Sequence, residues 1–128
     1  MRTLLALPLT ILSMAQAQTC PKEGTSAGEA ISFLEESKFD AHANYVCVIG
    51  AIRNLEYVHT RKAADVLVEY LDYRRPADEV VTGSSMEPYP AISALFGVGK
   101  PALPPLVRVV AISYRSKTAR DNAVKTIM

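Results

Sequence analysis

Along most of this 128-residue chain apolar side chains recur three and four positions apart, the period of a helix with one covered face. Ala30, Ile31, Phe33 and Leu34 mark a short first helix with Glu35 and Glu36 outside. Tyr45, Val48, Ile49, Ile52 and Leu55 form the stripe of a second, which Asp40 is placed to cap. Gly50 interrupts that helix at about 1 kcal/mol relative to Ala, which implies close approach by a neighbouring backbone. Thr60 opens a third helix with Ala63, Val66, Leu67, Tyr70 and Leu71 inside and Asp65 and Glu69 outside. It is expected to stop near Arg74–Arg75, before Pro76. Residues 76–90 read as a long connection, the kind of segment that often carries function. Helix resumes over Tyr89–Val98, with Ala91, Ile92, Leu95 and Phe96 inside, and Gly97 and Gly99 end it. Pro101 suits the first turn of a fifth helix, and Pro104 and Pro105 either share that turn or precede the helix. Leu106, Val107, Val110, Ala111 and Tyr114 continue the helical pattern. Val107–Ile112 alone would pass for a buried strand, but its neighbours pair at three and four. Ser116 caps a last helix with Ala119, Ala123, Val124 and Ile127 inside.

One five-residue frame recurs within these helices. It reads Ala51-Ile52-x-x-Leu55, Ala91-Ile92-x-x-Leu95 and Ala123-Val124-x-x-Ile127, with starts 40 and 32 residues apart. A small residue beside a branched one, with an aliphatic residue one turn on, suits a helix face packed closely on another. Recurrence at this period is the signature of stacked helical units, each burying its face against the next. The expected fold is all-α, with about six helices in one domain over residues 18–128.

The N-terminus has another pattern. Arg2 precedes a short apolar run from Leu4 to Met14, followed by Ala15-Gln16-Ala17 with small residues where a signal peptidase reads. This predicts a signal peptide over residues 1–17 and an exported protein, periplasmic or extracellular. The run is too short for a stable membrane span, and Thr19-Cys20 lacks the small residue expected before a lipidated cysteine. Removing the segment takes away Arg2 and no acid, leaving 111 residues with 13 basic and 13 acidic side chains. A neutral chain has no electrostatic footprint for nucleic acid or anionic lipid.

Two cysteines remain, Cys20 and Cys47. In an exported chain an even count favours a disulfide, here worth roughly 3 kcal/mol. Two thiols, with Cys47 simply a buried apolar residue, are the alternative. His42 and His59 have no ligand-spaced partners, so no metal is expected. Ser84-Ser85 lacks the context of a nucleophilic serine, and Gly97-Val98-Gly99-Lys100 lacks the spacing of a phosphate loop. Glu35-Glu36 and Asp78-Glu79 are adjacent acids that diverge on a helix and read as solvated charge. No catalytic residue and no cofactor are expected.

The stretch Tyr89-Pro90-Ala91-Ile92-Ser93-Ala94-Leu95-Phe96-Gly97-Val98-Gly99-Lys100-Pro101-Ala102-Leu103-Pro104-Pro105-Leu106 resembles a HEAT repeat. Its Ala91-x-x-x-Leu95-x-x-Val98-Gly99-x-x-Ala102-x-x-x-Leu106 arrangement is similar to bacterial HEAT-like proteins, whose prolines after the glycine open the second helix of a pair. Ser116–Met128, with Arg120-Asp121-Asn122-Ala123, resembles the start of a following repeat. The clear resemblance covers residues 89–128. Ala51–Leu71 keeps the frame but has Glu56-Tyr57-Val58-His59 in place of the glycines. The resemblance implies a short right-handed solenoid of antiparallel helix pairs with a concave face that binds a partner. Family members act mainly as protein-interaction scaffolds, and one branch comprises bilin lyases, which keeps a small-ligand-binding or lyase-like role as the alternative.

Tyr70, Tyr73, Arg74, Arg108, Tyr114 and Arg115 lie on or at the ends of the second helices of the two middle pairs, and are the recognition candidates. Tyr70 and Tyr114 also fit the apolar stripes. The third frame is followed at once by Met128. Its helix is expected to fold back on the previous pair or to meet a partner or second copy through residues 116–128. The remaining alternative is that the chain is the N-terminal fragment of a longer array.

Overall fold

The computed structural model describes residues 26–38, 44–76, 88–112 and 114–128, and over these the protein is helical, with no strand among them. The signal segment, Cys20, Asp40, His42, Asp78-Glu79 and Ser84-Ser85 lie outside the described residues.

Helix α1, Ala27–Ser37, begins where the Ser26 hydroxyl accepts from the Glu29 amide at 3.3 Å, and buries Ala30, Ile31 and Leu34. Helix α2 spans Tyr45–Asn54, and its N-cap is Asn44, whose side chain accepts from the Val46 amide at 2.9 Å. The cap expected at Asp40 is therefore replaced by a residue directly beside the first turn. Val48, Ile49, Ile52 and Leu55 are buried as the stripe predicts, while Tyr45 lies outside. Gly50 is not a point of close approach: a Cβ placed there would have nothing within 4 Å.

Helix α3, Arg61–Leu67, starts at Thr60, whose hydroxyl accepts from the Ala63 amide at 3.2 Å. It tightens into a 3₁₀ turn at Val68–Tyr70 and ends short of the expected arginines. The Leu71 carbonyl, which a further turn would engage, accepts from the Asn122 side chain instead, at 2.7 Å. Helix α4 spans Pro90–Val98 and ends at Gly99, whose φ of 81° lies in the region that favours glycine. Gly97 remains inside α4. A 3₁₀ turn, Lys100–Ala102, leads into α5, Leu103–Ala111, whose axis departs from that of α4 by 119°. Pro104 and Pro105 occupy the first turn of α5, where the missing amide hydrogens have no helical partner. Helix α6, Lys117–Ile127, is capped by Ser116, which accepts from the Ala119 amide at 3.0 Å.

The principal contacts join each helix to its neighbour or next neighbour in the chain: α1 to α2 and α3, α2 to α4, α3 to α4 and the α5 region, and α6 to α4 and α5. The first two frames are buried throughout, on α2 and α4. The third is not: Ala123 is buried, but Val124 and Ile127 are exposed, and Asn122 and Thr126 take the inner positions. Helix α5 shows the same rotation. Ala102, Pro105, Leu106 and Val109 face inward, whereas Val107, Val110 and Ala111 are exposed, as is Tyr114 beyond its end. Phe96 also points outward. The apolar pattern marks more than one face on these helices, and the described units cover only one.

Tyr70 ties the end of α3 to α1. Its ring is buried, and its hydroxyl donates to the Leu34 carbonyl of α1. Burial, aided by Tyr73 and Glu69, pushes its pKa up to about 12. The folded state thus favours the neutral phenol. Its contribution is complete below pH 10, where the unfolded phenol ionises, and is lost as pH rises toward 12. Urea unfolding of wild type and Tyr70→Phe should show the wild type ahead by about 1 kcal/mol at neutral pH. That lead should shrink between pH 10 and 12; a constant lead would refute the assignment.

Candidate binding groove

Helices α3 and α5 enclose a groove of about 400 Å³. On α3 and the turn that ends it, Asp65, Glu69 and Asp72 place three carboxylates along one side, with Val68 beside them. The other side is Pro105, Arg108, Val109 and Ile112, and Tyr114 and Arg115 follow the end of α5. Apolar floor and charged rim therefore come from two helices that are not consecutive.

Most of the rim charges are already engaged. Arg61 donates to Asp65 at 3.0 Å, one turn away. Glu69 accepts from Lys38 at 3.3 Å and from Arg115 at 3.5 Å. Arg115 also donates to the Val68 carbonyl at 2.9 Å, so its guanidinium is tied to the last turn of α3. Asp72 accepts from the Ser116 hydroxyl at 2.9 Å, joining the end of α3 to the cap of α6. Such exposed pairs contribute up to about 1 kcal/mol each, and their larger effect is to orient the rim. The side chains of Arg108 and Tyr114 have no hydrogen-bond or ionic partner among the described residues, and Tyr114 is 84% exposed.

The recognition candidates divide accordingly. Arg108, Tyr114 and Arg115 line the groove. Tyr70 lies in the core, with Tyr73 edge-on to it at 5.9 Å, and Arg74 sits over the Tyr89 ring at 5.8 Å. The acidic row was only partly legible: Asp65 and Glu69 show the helical spacing, but Asp72 joins them through the turn that ends α3.

Other chemistry-bearing residues have structural positions. His59 is hydrogen-bonded through Nδ1 to the Val98 carbonyl at 2.9 Å, at the end of α4. Among the described residues no three His, Cys, Asp or Glu side chains converge to hold a metal ion. No single described helix is long and apolar enough to cross a membrane. Cys47 is buried, and no cysteine among the described residues is free. No protein-family model, curated protein or solved structure matches the chain.

Proposed function

We propose that this all-helical protein is an exported, non-enzymatic, HEAT-like module that binds a segment of another protein along the α3–α5 groove. The observation that carries the reading is the groove itself: an apolar floor, a fixed acidic row and two polar groups, Arg108 and Tyr114, left to a partner. Principal contacts between neighbours and next neighbours support a short solenoid, with the Asn122 and Ser116 bonds to the end of α3 the reach beyond them. The frame's recurrence on α2, α4 and α6 and the prolines opening α5 support the same arrangement. A fitting segment carries a carboxylate or carbonyl for Arg108 and a basic group for the acidic row. The Cys20–Cys47 bridge belongs to this reading. Peptide mapping without reductant should return those two peptides joined, and two free thiols would reject it.

A photo-crosslinking residue in place of Tyr114, activated in the producing cells, tests the groove. One protein should be captured, and Arg108→Glu should lower that capture at least about ten-fold, as like or missing charge does at a contact site. Lys62→Glu, on an exposed position away from the groove lining, should leave capture unchanged. Capture indifferent to Arg108→Glu would reject the groove, and no captured protein would favour a small ligand.

A further inference from the structure

The two walls of the α3–α5 groove differ in what they leave unanswered. On the α3 side every carboxylate has a donor: Asp65 has Arg61, Glu69 has Lys38 and Arg115, and Asp72 has the Ser116 hydroxyl. On the α5 side the exposed Arg108 guanidinium pairs with none of these acids, although it lines the same groove. Three acids are thus set against four cations, and the one in excess is Arg108.

For an occupant the two walls are therefore unequal. A basic group reaching the acidic side gains a carboxylate only by competing with a donor already in place. At Glu69 it must displace Lys38 or Arg115, and Arg115 has a second hold on the Val68 carbonyl at 2.9 Å. A carboxylate reaching Arg108 displaces no protein group and can accept two parallel hydrogen bonds from its planar fork. Tyr114, just past the end of α5, adds a hydroxyl whose hydrogen-bonding capacity is unused. An uncharged segment laid over Arg108 would take its charge out of water with no counter-charge in return.

The fixed carboxylates also limit how much negative charge can enter. A phosphate monoester carries up to two charges and meets them with about twice the repulsion of a carboxylate. Between the walls, Val68, Val109 and Ile112 offer it no side-chain donor. A carboxylate on an aliphatic segment suits both features, with one charge for Arg108 and apolar surface for the floor.

We propose that the groove takes an acidic, aliphatic segment of a partner protein, with an aspartate or glutamate side chain seated on Arg108 and Tyr114 and neighbouring Val, Leu or Ile side chains on the floor. The assignment rests on the groove reading above and ranks the two charges in it: the carboxylate is required, and a basic group on the acidic row is not.

Selection of short random peptides displayed on phage, with the full protein recovered from producing cells as bait, tests this. Enriched peptides should carry Asp or Glu beside Val, Leu or Ile. For one such peptide, made synthetically, Arg108→Ala should weaken binding about ten-fold, and replacing the peptide's acid by its amide should weaken it about as much. The two changes together should weaken it little further, because both remove the same pair. Asp65→Asn, which removes repulsion from the opposite wall, should tighten binding by up to about five-fold, whereas a required basic group would make it looser. All variants should keep the helicity of wild type. Tyr114→Ala separates the assignment from the groove itself. Basic or uncharged peptides that are lost with Tyr114→Ala would overturn the acidic assignment and leave the groove standing. Peptides indifferent to both Arg108→Ala and Tyr114→Ala, or no enrichment, would overturn both. Fully additive losses, or looser binding with Asp65→Asn, would also overturn the assignment.

Discussion

Replacing Gly97 by Ala should destabilise the protein by about 3 kcal/mol, although the same change in an open helix would stabilise it. Gly97 lies within α4, where Ala is intrinsically favoured by about 1 kcal/mol. Its Cβ, however, would lie 1.9 Å from the Glu56 carbonyl oxygen and 2.8 Å from the carbonyl carbon. Backbone, not a flexible side-chain tip, must yield. That backbone is held on both sides: the Glu56 amide donates to Arg53 at 3.1 Å and the Val58 amide to Leu55 at 3.0 Å. The bond between His59 and the Val98 carbonyl then fixes the turn to the end of α4. Gly50→Ala is the matched control. It lies in α2 with open space at its Cβ and should stabilise by roughly 0.5–1 kcal/mol. Urea unfolding of the two variants should move the midpoint in opposite directions. A Gly97→Ala midpoint at or above that of wild type would refute the close approach.

These glycines also show where local pattern stops being informative. An interrupted helix at Gly50 and a terminated one at Gly97 are the natural readings of sequence, because glycine's cost is local and its compensation is not. Only the packing of the α2–α3 turn onto α4 shows which glycine is required. The helices themselves were legible, since Thr60 and Ser116 cap where expected and the stripe of α3 is buried in full. On α5 and α6 the pattern failed for another reason. Apolar periodicity reports every face suited to contact, whether the chain covers it or leaves it open, so Val107, Val110, Val124 and Ile127 read as core. The groove was legible by halves. Arg108, Tyr114 and Arg115 stand out as recognition residues near the end of α5, but of the acids opposite them only Asp65 and Glu69 show a helical spacing, and Asp72 joins them by tertiary structure alone.

Asn122 is the other residue whose role the apolar pattern conceals, and Asn122→Asp should cost about 3 kcal/mol at pH 7. The side chain is only 8% exposed, and its amide donates to the Leu71 carbonyl at 2.7 Å, where α3 ends. A carbonyl can only accept, so the amide nitrogen must face it. An aspartate there would set an ionised oxygen against a carbonyl oxygen, with no proton between them. Protonated, the same carboxyl could donate and restore the bond. Folding should therefore raise the variant's carboxyl pKa above its unfolded value of about 3.9. The sign follows from that shift: the variant is closest to wild type below about pH 4 and falls away as pH rises through the folded-state pKa. Asn122→Ala supplies the comparison, because it loses the donor without adding charge and should cost about 2 kcal/mol at pH 4 and pH 7 alike. Urea unfolding at both pH values distinguishes the two variants, and an Asp deficit independent of pH would refute the donor role. The consequence reaches the groove, since Leu71 adjoins Asp72, which Ser116 of the same α6 region holds at 2.9 Å. Loosening Asn122 should therefore release the acidic row from α6 before the helices separate, and weaken any partner that reads Asp72 more than one that reads Arg108 alone.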